Sequence, residues 1–232
     1  SSTNGIENVS FRLKQREVLG VWGLMGSGRT ELIRGILKLD PITNGTVEIK
    51  TKNGFVGLPK NFTKNFGYVP ENRREEGLFL DSPVLSNMSI GRIKKFANKL
   101  GFIKKVQEKS KAITATKELD IKLVNVHQKV NTLSGGNQQK VVIARWLIFK
   151  PDIFILDDPT KGLDIGAKAD VYKLVKDLVE EGISVILISS DIDEIIHMSD
   201  RIIVLANNKL VNTLDHNQAN KETLMEYSMG NK

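Results

Sequence analysis

Three groups of residues in this 232-residue chain have types and spacings suited to phosphate chemistry. The first is Gly23-Leu24-Met25-Gly26-Ser27-Gly28-Arg29-Thr30, a G-x-x-x-x-G pattern closed by a cation and a hydroxyl. Its glycines let backbone N–H groups turn inward around phosphate oxygens. It follows the apolar run Glu17–Gly23 and opens a helix, whose positive dipole end adds to the attraction. The Thr30 hydroxyl is placed to ligate Mg²⁺, so the predicted ligand is a nucleoside triphosphate, ATP with Mg²⁺. Arg29 stands where such loops carry lysine. It keeps the charge but is longer and planar, so binding is expected to survive better than catalytic alignment. A glycine-rich turn joining strand to helix without a ligand has the same local pattern.

The second group is Phe154-Ile155-Leu156-Asp157-Asp158, an apolar strand ending on two carboxylates. In nucleotide sites of this form the first carboxylate steadies Mg²⁺, usually through water. The next polarises the attacking water. Asp158 is one methylene shorter than the usual Glu, and a misplacement of about 1 Å costs on the order of 10²-fold in rate. A strand followed by an acidic turn is the alternative. The third group, Leu133-Ser134-Gly135-Gly136-Asn137-Gln138-Gln139-Lys140, opens a helix predicted over 138–148. An N-capped helix after a turn accounts for its Ser-Gly-Gly alone.

The elements that must hold these groups alternate along the chain. Strands are predicted at 17–23, 46–50, 67–70, 152–156, 184–188 and 201–205, with helices at 30–39 and 168–181. Strands alternating with helices imply a mainly parallel sheet with covered faces. From Asn72 to Lys129 the texture shifts to helical periodicity with many lysines, which reads as an inserted helical lobe. The tail beyond Leu214 is polar and is predicted helical from Lys221.

Composition narrows the function classes. The chain has no cysteine and only three histidines, none at ligand spacing, so no structural metal is expected. The formal net charge is +7. The basic residues read as spread over a solvated surface, densest from Arg92 to Lys111, and aromatics are only 6%. Both points count against a nucleic-acid face. No apolar run is long enough to span a membrane, and the start carries no secretory signal.

The contiguous LSGGNQQK resembles the signature motif of ATP-binding-cassette (ABC) ATPases. Pro159-Thr160-Lys161-Gly162-Leu163-Asp164 resembles the D-loop region of that family, and Ser189-Ser190-Asp191 lies where its switch histidine is expected. Tyr68-Val69-Pro70-Glu71 occupies the Q-loop position. The likeness runs from about Ile6 to Leu210. It implies a P-loop NTPase of the ABC ATPase type, α/β, with a small antiparallel β part and a helical subdomain at about 72–145 within a single nucleotide-binding domain, 1–232. By the same likeness Asp158, Ser190 and Glu71 are the catalytic positions. The segment Leu133, Ser134, Gly135, Gly136, Asn137 and Gln138 contacts the γ-phosphate of ATP held by another subunit, and Thr30 with Asp157 holds Mg²⁺.

Four departures occur together: Arg29 for Lys, Glu71 for Gln, Asp158 for Glu and Ser190 for His. With GLMGSGRTEL, PENRREEGL and PTKGLDIGAK they resemble the second cassette of bacterial importers of ribose, galactose or xylose, whose relatives import nucleosides or a furanosyl signalling molecule. Asp158 is atypical even there. The resemblance implies a fragment of a two-cassette chain, with no nucleic-acid partner. Its implied partners are the other cassette, transmembrane permease subunits and, indirectly, a substrate-binding protein, at the cytoplasmic face of the membrane. The chain opens at Ile6–Phe11, too late for the strand and adenine-stacking aromatic that such cassettes carry, so stacking on adenine is expected to be missing. Residues 71–88, above all Pro83–Met88 with Val84, Leu85 and Met88, are expected to form part of the surface that couples to the permease. The alternatives are a catalytically weak scaffold that lends its signature motif to a competent cassette, and a soluble ABC protein of DNA repair or translation. The missing long coiled-coil insert counts against the last.

Overall fold

Strand β1, Val18–Trp22, is apolar at nearly every position and buried at all of them, as befits a strand covered on both faces. It pairs in parallel with β6 (Ser184–Ile188) on one side and β7 (Arg201–Ala206) on the other, in registers that set Leu19 opposite Ile186 and Arg201. β8 (Lys209–Asp215) extends this sheet antiparallel to β7. The structure is a computed structural model and describes residues 5–51, 54–58 and 65–230. These fall into two compact units, one built from the chain up to Phe66 together with the chain from Val179 on, the other from Gly67–Leu178.

In the first unit the sheet carries α1 (Arg29–Ile36), α6 (Ile192–Met198) and α7 (Lys221–Ser228). Leu19, Val21, Ile33, Ile188, Ile202 and Ile203 form its core. A separate antiparallel pair, β2 (Glu48–Thr51) with β3 (Gly54–Gly57), is the small antiparallel part. Val47 and Ile49 are half-buried between exposed neighbours, the alternation expected of a half-exposed strand.

In the second unit β4 (Phe66–Val69) lies beside β5 (Ile153–Asp157). Gly67 is required there: a Cβ would sit 2.5 Å from the Phe154 ring. A single π-helical turn follows at Arg73–Gly77, then α2 (Val84–Ser89), a 3₁₀ segment at Ile90–Phe96, and α3 (Lys105–Glu118). α4 (Gly135–Leu147) and α5 (Ile165–Glu180) come before and after β5. α4 begins three residues earlier than expected, because the Ser134 side chain accepts from the Asn137 N–H and starts the helix at the glycines.

Within the expected coupling segment Pro83–Met88, two side chains are corrected here. Val84 and Met88 are one helical turn apart and fully buried, so they are core of this unit; Pro83, Leu85 and Ser86 keep accessible surface. Apolar residues at i and i+4 mark a buried stripe more often than a docking face.

Candidate functional site

In the first unit β1 delivers the chain into the glycine loop, and α1 begins at Arg29. Gly26 and Gly28 have φ of +77° and +98°, a region that L side chains rarely adopt. The Ser27 N–H donates to the Leu24 carbonyl at 3.0 Å, closing the turn. Gly23 is equally constrained: a Cβ there would lie 2.5 Å from the Leu205 carbonyl oxygen and 2.3 Å from Ser27 Oγ.

Among the described residues the buried Ser27 hydroxyl has no hydrogen-bond partner. A buried orphan donor is costly unless a ligand satisfies it. Together with the two left-handed glycines, the open space at Gly26 and the start of α1, it fits the phosphate group of a nucleotide. Thr30, exposed in the first turn of α1, offers its hydroxyl to a hard cation such as Mg²⁺. MgATP, when bound here, supplies the phosphoanhydride bond. The protein's part is to cradle the phosphates with backbone N–H groups and countercharge.

Arg29 Nη1 donates to the Ser189 carbonyl at 2.9 Å. The cation at the lysine position is thereby tied to the end of β6, immediately before the switch position Ser190. A lysine ammonium is a point charge on a flexible stem, whereas the guanidinium fork can hold a carbonyl and still present further N–H groups to an anion. Ser190 itself is exposed. Its surroundings are firmly built: Ser189 Oγ donates to the buried Glu194 carboxylate, and Asp191 caps α6 by accepting from the Asp193 and Glu194 N–H groups.

One residue behind this loop escaped the sequence reading. Asn207 and Asn208, with φ of +50° and +61°, form the two-residue turn between β7 and β8. The Asn208 N–H donates to the Ser27 carbonyl at 3.2 Å, and its side chain lies where a Cβ on Gly28 would go. The Asn-Asn pair between apolar runs was the available signal, since such turns need positive φ at both central residues.

In the second unit β5 ends on Asp157 and Asp158 follows it, both buried. The Tyr68 hydroxyl reaches Asp157 Oδ2 at 3.5 Å, a long contact. Asp158 has φ of +44°, a conformation that Asp tolerates better than Glu because its short side chain can bond locally. That is a physical reason for Asp at this position. Glu71 is held by Lys161, Nζ to Oε1 at 2.5 Å, so the Q-loop and D-loop positions meet across an exposed ion pair.

The signature loop divides into two sets. Ser134, Gly135, Gly136 and Asn137 are accessible, with Asn137 Nδ2 donating to Ser134 Oγ at 2.9 Å. Leu133 and Gln138 are buried, and the Gln138 amide is spent on the Val130 and Leu133 carbonyls at 3.3 and 3.2 Å. Those two residues, expected to touch phosphate, therefore shape the loop from within. Arg73 was not singled out from sequence, yet its Nη1 donates to the Lys161 carbonyl at 2.8 Å, and a Cβ on Gly135 would lie 2.9 Å from its Nη2. Burial, and secondarily Arg74, lowers the Arg73 pKa from its usual value. Among the described residues no cluster of three or more His, Cys, Asp or Glu could hold a metal ion, and no helix is long and apolar enough to cross a membrane.

The family model described as ABC transporter matches residues 6–161. The chain is 38% identical to the ribose import ATP-binding protein RbsA of Bacillus licheniformis, covering 100% of this chain and 47% of that protein. It is 40% identical to the protein of the same name from Oceanobacillus iheyensis, covering 96% of this chain and 45% of that protein. The chain thus spans about half the length of the curated relatives it matches. Among solved structures, a dimeric ATP-binding cassette in a post-hydrolysis state with ADP and Pi is 27% identical, at a TM-score of 0.75, over 91% of this chain and 90% of that one. A nucleotide-free cassette from an ABC transporter has a TM-score of 0.77 at 22% identity, over 97% of this chain and 89% of that one, which shows the fold.

Proposed function

This chain belongs to the ABC transporter family, and on that premise we propose that it is an ATPase cassette of a sugar importer whose own nucleotide site retains ATP more readily than it hydrolyses it. The observation that carries ATP binding is the glycine loop, with its left-handed glycines and the orphan Ser27 hydroxyl. The names of the relatives support ribose as the imported sugar; a nucleoside is the alternative cargo. Coverage of about half of those relatives is what a two-cassette parent chain leads one to expect. The partners in this reading are the other cassette, the membrane permease and, indirectly, a substrate-binding protein. The chain then works as a peripheral protein on the cytoplasmic face.

Slow hydrolysis is supported by the four substituted positions. Arg29 is engaged with Ser189, Glu71 with Lys161, and neither Asp158 nor Ser190 has the side chain usual at its position. The accessible half of the signature loop, Ser134 to Asn137, is offered to ATP on the opposite cassette, where backbone N–H groups at a helix N-terminus stabilise the γ-phosphate. The scaffold role and the transport role are then two aspects of one molecule.

The test is an equilibrium titration with ATP and Mg²⁺. Arg29→Ala is expected to weaken binding about 10- to 100-fold, the loss of one charge-assisted contact. Unchanged affinity would remove the glycine loop as the binding site.

A further inference from the structure

The basic residues are spread along the chain, as expected, but the net charge is concentrated in the densest stretch. Between Arg92 and Lys111, that arginine and seven lysines face a single acid, Glu108. The excess in this stretch equals the +7 of the whole chain, so the remainder is formally neutral. All seven lysines are exposed, while Glu108 is half-buried and accepts a hydrogen bond from Ser89 Oγ at 2.5 Å.

The same stretch carries apolar side chains that the fold does not use. Leu100, Phe102 and Val106 are 81%, 70% and 86% exposed. Leu100 and Phe102 are held in that state by a tight hairpin, and Val106 stands in the first turn of α3. Ala97 bridges Ile103 antiparallel, the Lys104 N–H donates to the Phe96 carbonyl at 2.8 Å, and Gly101 turns with φ of +86°. Asn98 Oδ1 accepts from the Leu100 and Phe102 N–H groups at 2.9 and 3.0 Å. The base is anchored by buried Phe96, edge-on to Phe149 at 5.6 Å. A braced tip that presents leucine and phenylalanine, flanked by Lys99, Lys104 and Lys105, costs solubility and adds nothing to the core.

We propose that the hairpin at 97–104 and the first turn of α3 form a docking surface for an anionic lipid bilayer, with Leu100, Phe102 and Val106 entering the headgroup region and the lysines meeting the phosphates. Apolar side chains set among lysines are the chemistry of interfacial binding. The charge is complementary to an anionic leaflet, where each cation near the surface adds to the attraction. Three of the four exposed apolar residues, Leu100, Ile103 and Val106, are aliphatic and give no stacking platform for bases, which disfavours nucleic acid as the occupant. The surface is independent of which cargo the importer carries.

The experiment is co-sedimentation of the chain with vesicles of phosphatidylcholine alone and of phosphatidylcholine with about one-third phosphatidylglycerol, the anionic component. Binding is expected to the anionic vesicles, at least about tenfold weaker to the neutral ones, and reduced by salt. Leu100→Asp with Phe102→Asp, and separately Lys104→Glu with Lys105→Glu, are each expected to weaken it about tenfold or more. Thermal unfolding and ATP affinity of both variants should match the parent chain, since these side chains are exposed. A Phe102→Trp variant should show a blue-shifted emission on the anionic vesicles. Binding to neither vesicle, or equal binding to both, overturns the proposal. So does binding that the Leu100/Phe102 variant leaves intact and DNA competes away, which would assign the patch to nucleic acid.

Discussion

Replacing Gly28 with valine is expected to lower ATP affinity at least about 100-fold, roughly 2.7 kcal/mol at 25 °C. Two costs act together. At φ of +98° a β-branched residue pays a backbone penalty of about 1–2 kcal/mol or relaxes the loop out of its native shape. A Cβ would also lie 2.4 Å from Ile6 Cδ1 and 2.7 Å from Asn208 Oδ1, with the Asn208 backbone behind at 3.3 Å. The ends of Ile6 and Asn208 must move aside, and the Asn208 backbone, which bonds the Ser27 carbonyl, must give by a few tenths of an ångström, so strain reaches the cradle through that turn. Gly26→Ala makes the internal comparison. Its φ is +77°, but nothing lies within 4 Å of the added Cβ, so only the conformational cost applies and the loss should be about tenfold or less. Calorimetric titration of both variants, alongside their melting curves, separates a distorted cradle from an unfolded one. Equal losses at the two positions would mean that the buttress behind Gly28 is irrelevant.

The second large effect is expected in the other unit. Asn87 is fully buried and holds together several segments. Its Oδ1 accepts from the Phe79 N–H at 2.9 Å and from Arg145 Nη2 at 3.3 Å; its Nδ2 donates to the Phe79 and Pro83 carbonyls at 2.9 and 3.1 Å. Arg145 Nε also donates to the Asn87 backbone carbonyl at 2.7 Å, and burial lowers the Arg145 pKa to about 10, which leaves it charged at neutral pH. Asn87→Ala strands a buried N–H and takes one acceptor from a buried cation, so a loss of about 3 kcal/mol or more is expected. Arg145→Lys should cost less, because the ammonium can still meet one of the two acceptors. Urea unfolding measures both. A change below about 0.5 kcal/mol for Asn87→Ala, the size of an ordinary surface substitution, would show that the network carries no weight.

The parts of the fold legible in sequence were those written in one dimension. VLGVW, FILD, SVILI and RIIVL are continuous apolar runs, and each became a strand at nearly the expected bounds. An N-capped helix was the alternative that Ser-Gly-Gly offered; Ser134 is that cap, and the helix begins three residues before its expected start. What stayed hidden needed a third dimension or weaker signals. β8 has mixed burial along its length and was passed over, although the Asn207-Asn208 turn before it marks a hairpin. α6 was missed too, yet Asp191 followed three residues later by Glu194 is a helix-start pattern. Val84 and Met88 looked like a docking stripe because periodicity marks an apolar face without saying what covers it. Gln138 sits inside a phosphate-type motif, and only its hydrogen bonds to Val130 and Leu133 show that it faces inward. Arg73 lies 62 positions from Gly135 in the sequence, and nothing local ties the two together.

Slow cleavage of bound MgATP by this chain alone is tested most directly in a single-turnover experiment: the chain in excess over radiolabelled ATP, with Mg²⁺, sampled over time for bound ATP and released phosphate. The label is expected to be retained by the protein and to stay as ATP through many minutes, well outside the seconds-or-faster turnover usual for enzymes. Asp158→Asn, a change the left-handed backbone accepts, is expected to leave retention unaltered. Prompt phosphate release that Asp158→Asn abolishes would contradict slow cleavage, and failure to retain ATP at all would contradict the binding site.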